Sequence, residues 1–206
     1  MPSVYQLKSA FQDFLRPCVR RLVVWGISAN QVTVIACVVS LALGTWLMLQ
    51  PQNWVAWLCL PVWLFLRMAL NAIDGMMARE HDMKSPLGAI LNEAGDIIAD
   101  VALSIPFVFV LGLNSLIVIL FIIAAVGTEF IGVLGIQIGA SRRYDGPMGK
   151  SDRAVLIGCL GLANACNWIN VEYVNYIFAI MFLMCVVCMF NRARQALIEI
   201  KAKTDV

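Results

Sequence analysis

Apolar residues along this chain fall in blocks of about 20, the length that crosses a hydrocarbon layer as a helix. The blocks cover 31–49, 54–73, 86–111, 116–139, 154–169 and 173–191, which predicts six membrane spans. Short polar stretches separate them, among them Gln50-Pro51-Gln52-Asn53 and Gly112-Leu113-Asn114-Ser115. Residues 4–22 have a different pattern. Val4, Leu7, Phe11, Phe14, Leu15, Cys18 and Leu22 recur at helical spacing, with Lys8, Asp13, Arg16 and Arg20 between them. That predicts an amphipathic helix lying in the membrane interface, which Pro17 should kink or split. Gly26-Ile27-Ser28-Ala29-Asn30 then breaks the chain, with Ser28 or Asn30 able to cap the next helix. The expected fold is therefore all-α: an integral membrane bundle of six transmembrane helices preceded by an N-terminal amphipathic interfacial helix. Residues 1–206 form one domain, divided into an interfacial helix (1–26), a six-helix bundle (31–191) and a cytosolic tail (192–206).

Composition agrees with this: 61% of the 206 residues are hydrophobic, which excludes an ordinary soluble domain. The net charge of +2 matters less than its distribution. Lys8, Arg16, Arg20 and Arg21 precede the first span, and Arg67, Arg79 and Lys84 lie near the second-to-third connection. Arg142, Arg143, Lys150 and Arg153 lie in or beside the fourth-to-fifth loop, and Arg192, Arg194, Lys201 and Lys203 follow the sixth span. With six spans all of them fall on one side, so the positive-inside rule places both termini in the cytosol. Trp54, Trp57 and Trp63 mark the opposite end as an aromatic belt. The early charges leave no apolar core for a signal peptide. Cys185 and Cys188 form a C-x-x-C inside a span and read as packed side chains. The single histidine, His81, reads as a solvated residue of a turn.

The stretch Asn71–Asp100 changes the picture. It joins two apolar blocks yet carries Asp74, Arg79, Glu80, His81, Asp82, Lys84, Glu93, Asp96 and Asp100. Ionisable groups at the mouth of a membrane bundle are candidates for function. Asn92, Asp96 and Asp100 recur every four residues and share a helix face, as do Asn71 and Asp74 three apart. Two facing helix ends rich in oxygen ligands are what Mg²⁺ or Mn²⁺ needs to hold a phosphate group.

These residues resemble the signature of the CDP-alcohol phosphotransferase family, D-x2-D-G-x2-A-R-x8-G-x3-D-x3-D. Here it stands as Asn71, Asp74, Gly75, Ala78, Arg79, Gly88, Asn92 and Asp96 with every spacing kept, and asparagine replaces the first and third aspartates. The phrase Gly26-Ile27-Ser28-Ala29-Asn30-Gln31-Val32-Thr33 resembles the family's lead into its first span, with Ala29 in place of proline.

The resemblance implies a bacterial cytoplasmic-membrane enzyme, similar to phosphatidylglycerophosphate synthases. It would transfer a phosphatidyl group from CDP-diacylglycerol or another CDP-alcohol to an acceptor alcohol, releasing CMP. Asn71, Asp74, Asn92 and Asp96 would hold Mg²⁺ or Mn²⁺, and Asp96 would also be the general base. Gly75, Ala78, Arg79 and Gly88 would receive the CDP moiety. Arg142, Arg143, Lys150 and Arg153 would bind the phosphate of a small phosphorylated acceptor, although topology and anionic-lipid contact explain part of that cluster. The resemblance also implies membrane lipids as partners, often a homodimer, and no nucleic acid.

Asp100 reads as a buried acid paired with a neighbouring helix, Glu93 as a weaker metal candidate, and Glu129 as a hydrogen-bonding partner between helices. Two other readings stay open: a degenerate member that binds CDP-lipid with little turnover, and a small transporter with an intramembrane acid chain.

Overall fold

The computed structural model describes residues 4–204, with side chains from residue 10. The expectations on Val4, Leu7 and Lys8, and the ends 1–3 and 205–206 of the expected domain, lie outside the described side chains and residues. All regular structure among the described residues is helical. Seven α-helices follow in order: α1 (Val4–Val24), α2 (Ala29–Leu49), α3 (Trp54–Glu80), α4 (Pro86–Ser104), α5 (Ser115–Gln137), α6 (Lys150–Cys166) and α7 (Val171–Thr204).

Local sequence explains the helix starts. Ser28 accepts from the Gln31 amide while the Gln31 side chain accepts from the Ser28 amide, a reciprocal cap on α2. Asn53, Ser85 and Asn114 cap α3, α4 and α5 through their side-chain oxygens, each worth about 1 kcal/mol. Asp152 reaches back to the Gly149 amide at 2.9 Å and begins α6 at Lys150, ahead of the expected 154. Asn167, at φ 52°, ends α6 in the left-handed region that asparagine tolerates.

Besides α6, three helices depart from the expected blocks. The third block was expected to run unbroken over 86–111, but α4 stops at Ser104 and a 3₁₀ turn covers Ile105–Phe109. Pro106 is the cause: it has no N–H for an i−4 bond, and its ring would clash with the carbonyl one turn back. The second block was expected to end near 73 and pass into a turn. α3 instead continues through Asp74 to Glu80, so the signature's first five fixed positions are helical, the turn begins at His81, and the last three positions stand on α4. The expected tail is not a separate element, because α7 runs unbroken to Thr204. Pro17 neither splits α1 nor ends it.

By length and composition, α2, α3, α5 and α7 are able to cross a membrane. The helices α4 and α6 fall short on the same measure. The first carries Glu93, Asp96 and Asp100 within 19 residues, and the second has 17 residues with Lys150, Asp152 and Arg153 in its first turn.

The helices pack chiefly as α5 on α7, α2 on α4 and α3 on α6. The main core joins Leu47, Trp57, Leu60, Phe107, Phe121 and Phe178. Its aromatic rings meet edge to face, with centroids 4.7 Å apart for Trp57–Phe107, 5.3 Å for Phe107–Phe178 and 5.5 Å for Phe121–Phe178. Such pairs add about 1 kcal/mol each beyond buried area. Trp57 donates to the Pro51 carbonyl at 2.8 Å, which ties this core to the end of the bundle without basic residues. A second cluster packs Leu15 and Val19 of α1 against Ile73, Met76 and Met77 of α3. Arg16 reaches Glu80 at 3.2 Å beside it. The main apolar core thus fills one part of the bundle, and at the signature end the second cluster covers one face of α3 while polar groups occupy the other.

Candidate active site

The signature end is built from α3 and α4 lying across from each other. On α3, a four-residue step puts Arg67 above Asn71, and Asp74 follows one turn later. On α4, Asn92, Asp96 and Asp100 stand on one face, as the spacing predicts. Asn71 Nδ2 donates to Asp96 Oδ1 at 3.1 Å, so the two halves of the signature touch. Arg67, only 3% exposed, donates to the Asp96 carbonyl at 3.0 Å and lies 3.3 Å from its carboxylate. Its other nitrogen holds Asp100 at 2.5 Å. Lys150, at the start of α6, pairs with the remaining oxygen of Asp96.

Asp74 is buried and accepts from Thr33 Oγ1 at 2.7 Å. Thr33 ends the phrase that opens α2, so that phrase orients a signature carboxylate. Asn30 of the same phrase lies against Gly88, where an added Cβ would sit 2.7 Å from Asn30 Oδ1. At Gly75 an added Cβ would meet the Arg79 guanidinium at 3.2 Å. Gly88 therefore serves the close approach of α4 to the start of α2, whereas at Gly75 only a flexible side chain of the same helix stands near.

A polar cavity of about 460 Å³ opens beside these groups. Asn71, Asn92 and Asp96 line it from the signature, and Glu93, Glu129, Arg142, Lys150, Asp152 and Arg192 supply its other ionisable walls. Gly75, Ala78, Arg79 and Gly88, expected to receive CDP, do not line this cavity. Ala78 packs into the second apolar cluster, and Arg79 is exposed.

The four basic residues expected to cradle an acceptor phosphate already have carboxylate partners. Arg142 grips both oxygens of Glu93, at 2.5 and 2.6 Å, and reaches Glu129 at 3.0 Å. Burial works against its charge, but the Glu93 and Glu129 hydrogen bonds prevail and hold its pKa above the usual arginine value. Its guanidinium also lies 4.5 Å from the Tyr144 ring centre. Arg143 turns away from the cavity to Asp145 and Glu199, each at 2.7 Å. Arg153 is buried between Glu129 (2.8 Å) and Asp100 (3.2 Å). Lys150 holds Asp96, as described.

A family model for CDP-alcohol phosphatidyltransferase matches residues 26–200. The chain belongs to that family. Membership makes the protein a transferase of phospholipid biosynthesis. It is 43% identical over 196 residues to the inner membrane protein YnbA of Escherichia coli K12, covering 95% of this chain and 97% of that protein. It is 32% identical over 116 residues to the archaetidylinositol phosphate synthase of Aeropyrum pernix, 56% of each chain. Among solved structures it resembles the Mycobacterium tuberculosis phosphatidylinositol phosphate synthase PgsA1 with CDP-DAG bound. That match has a TM-score of 0.72 at 18% identity and covers 87% of this chain and 92% of that one. At this identity the likeness establishes the fold.

The four positions expected to hold a divalent metal are Asn71, Asp74, Asn92 and Asp96. Two carboxylates and two amide oxygens fit a hard divalent cation in kind. They carry half the charge of four aspartates. Among the described residues no three His, Cys, Asp or Glu side chains converge into a ligand cluster. A cation at Asp96 would compete with Lys150 and Arg67.

Several site residues had no assigned role in the sequence reading. Arg67 and Arg192 counted there only as topology charges, and Thr33 only as part of a phrase. Arg67 did carry a signal, since an arginine inside an apolar block needs a partner. Glu129 was read as a hydrogen-bonding partner, and the structure gives it arginine partners from three elements. Asp100 pairs with arginines of two neighbouring helices, as expected of it, but it is only partly buried, since it stands on the α4 face next to the cavity end. The pair Cys185 and Cys188 is buried and unbridged.

Proposed function

We propose that this protein transfers a phosphatidyl group from CDP-diacylglycerol to the hydroxyl of a small acceptor alcohol and releases CMP. The observation that carries this reading is the meeting of Asn71, Asn92 and Asp96 at one wall of the polar cavity. The acceptor hydroxyl attacks the lipid-bearing β-phosphorus, and the Asp96 carboxylate takes its proton. Lys150 has a flexible stem and sits on Asp96 before substrate enters. Moving to the pyrophosphate would bring a positive charge to the leaving CMP and release Asp96 to act as base. Asp74, Asp96, Asn71 and Asn92 would hold Mg²⁺ or Mn²⁺, which neutralises the pyrophosphate when bound. Gly75 and Arg79 of α3 and Gly88 of α4 stand outside the cavity's lining, and the donor's cytidine would approach from their side.

The membrane arrangement belongs to the same reading. Helices α2 to α7 cross as six spans, α4 with its 3₁₀ extension, and α1 lies in the interface with both termini cytosolic. The ion pairs Arg16–Glu80, Arg142–Glu93 and Arg143–Glu199 support it, because they tie the basic segments to one end of the bundle. The relative named as an inner membrane protein supports a bacterial inner-membrane location.

The deciding experiment is CMP release by purified protein from CDP-diacylglycerol with Mg²⁺ or Mn²⁺ and a panel of acceptors. Release should vanish in Asp96→Asn and in chelator. One observation favours a second reading, a CDP-lipid binder with little turnover: Asp96 is fully engaged by Lys150, Arg67 and Asn71. Tight CDP-diacylglycerol binding without CMP release would establish that reading instead.

A further inference from the structure

Glu129 of α5 sits where three guanidiniums from three different elements converge. Its Oε1 accepts from Arg153 of α6 at 2.8 Å, and its Oε2 accepts from Arg142 of the α5–α6 loop at 3.0 Å. Arg192 of α7 lies 3.4 Å from Oε2 and is only 1% exposed. Gly132, one turn along α5, leaves the room this needs. A Cβ there would come within 2.7 Å of Arg142 and 3.1 Å of Arg192. Convergent guanidiniums in a buried setting are what binds a phosphate. Here the chain's own carboxylate fills that position.

The rest of the cavity wall repeats the balance. Four carboxylates line it, Glu93, Asp96, Glu129 and Asp152, against three cations, Arg142, Lys150 and Arg192. Each of the three cations is already paired with one of those carboxylates. An incoming phosphomonoester would have to displace Glu129 or lie beside it, and like charges at that range are strongly disfavoured. A hydroxyl-rich neutral molecule meets no such penalty and finds abundant acceptors and donors.

We propose that Glu129 is a specificity-determining residue that supplies the anion itself, so that the acceptor alcohol is an uncharged polyol and not a sugar or polyol phosphate. This rests on the transferase reading of the cavity. It departs from the expectation that Arg142, Arg143, Lys150 and Arg153 bind an acceptor phosphate.

Two measurements test it together. The first compares CMP release with matched acceptors, glycerol against glycerol 3-phosphate and inositol against inositol phosphate. The wild type should favour the unphosphorylated member of the productive pair by about tenfold or more, and Glu129→Gln should lose or reverse that preference. The second needs no turnover: thermal melting in detergent and EDTA, with inorganic phosphate against chloride at equal ionic strength. Phosphate should leave the wild type unmoved and raise the melting temperature of Glu129→Gln, whose guanidiniums have lost their anion. If Glu129→Gln does not fold, Glu129→Asp serves, with a smaller rise expected. A wild type that prefers the phosphorylated acceptors, or that phosphate stabilises as strongly as it does the variants, overturns the proposal. Silence with every acceptor counts against the transferase reading alone, and the phosphate melts still decide the role of Glu129.

Discussion

Each carboxylate at the signature end has a distinct set of partners, and each set predicts a distinct phenotype. Asp96 faces the cavity and contacts Asn71, Arg67 and Lys150. Its substitution by asparagine keeps the shape and removes the base, so CMP release should fall about 100-fold or more. Binding of CDP-diacylglycerol should change far less in that variant. Asp74 depends on Thr33 for its hydrogen bond. The substitution Thr33→Val leaves a buried carboxylate short of a donor, at a cost of about 1–3 kcal/mol. A lower melting temperature and weaker Mn²⁺ binding, the latter read by titration, should both follow. If Thr33→Val melted and bound metal like the wild type, the orienting role given to Thr33 would be wrong. The signature's spacing was readable from the chain because it depends only on helical periodicity. The pairing of carboxylates with arginines was not, because Arg67, Arg142, Arg153 and Arg192 come from four separate parts of the fold.

At the scale of the elements, proline and glycine explain most of what the apolar pattern left open. Hydrophobicity located the breaks near residues 26–30, 50–53 and 112–115, because those are changes of composition. It could not show that α3 continues to Glu80 and α7 to Thr204, since a helix leaving an apolar setting keeps its backbone bonds while its side chains turn polar. The close approach of α2 to α4 was equally hidden. An added Cβ at Gly44 would overlap the Ala102 carbonyl, so the two backbones meet with no side chain between them. The substitution Gly44→Ala must push α4 away and with it Asp96 and Asp100. The expected cost is about 1–3 kcal/mol, seen as a lower melting temperature together with reduced activity. Equal stability in that variant would contradict the tight α2–α4 packing.

The whole molecule separates an apolar core from a polar site at one end. Ion pairs join α1 to α3, the α5–α6 loop to α4, and α7 to that loop, all at the signature end. The connections at 50–53 and 112–114 lie at the other end. The charge distribution along the chain already carries this polarity, since basic residues collect on one side of a membrane. In intact cells, a charged maleimide should label Gln52→Cys and leave Lys203→Cys untouched until the membrane is permeabilised. The reverse pattern would overturn the cytosolic placement of the termini.

The transfer itself can be measured most directly by following both products of one reaction. Purified protein, CDP-diacylglycerol, Mn²⁺ and the preferred acceptor are incubated, and CMP and lipid are quantified by mass spectrometry. The account predicts CMP and a phosphatidyl-acceptor lipid in equal amounts, both lost in Asp96→Asn. CMP accompanied only by phosphatidic acid, or no CMP from protein that binds the donor, would contradict it.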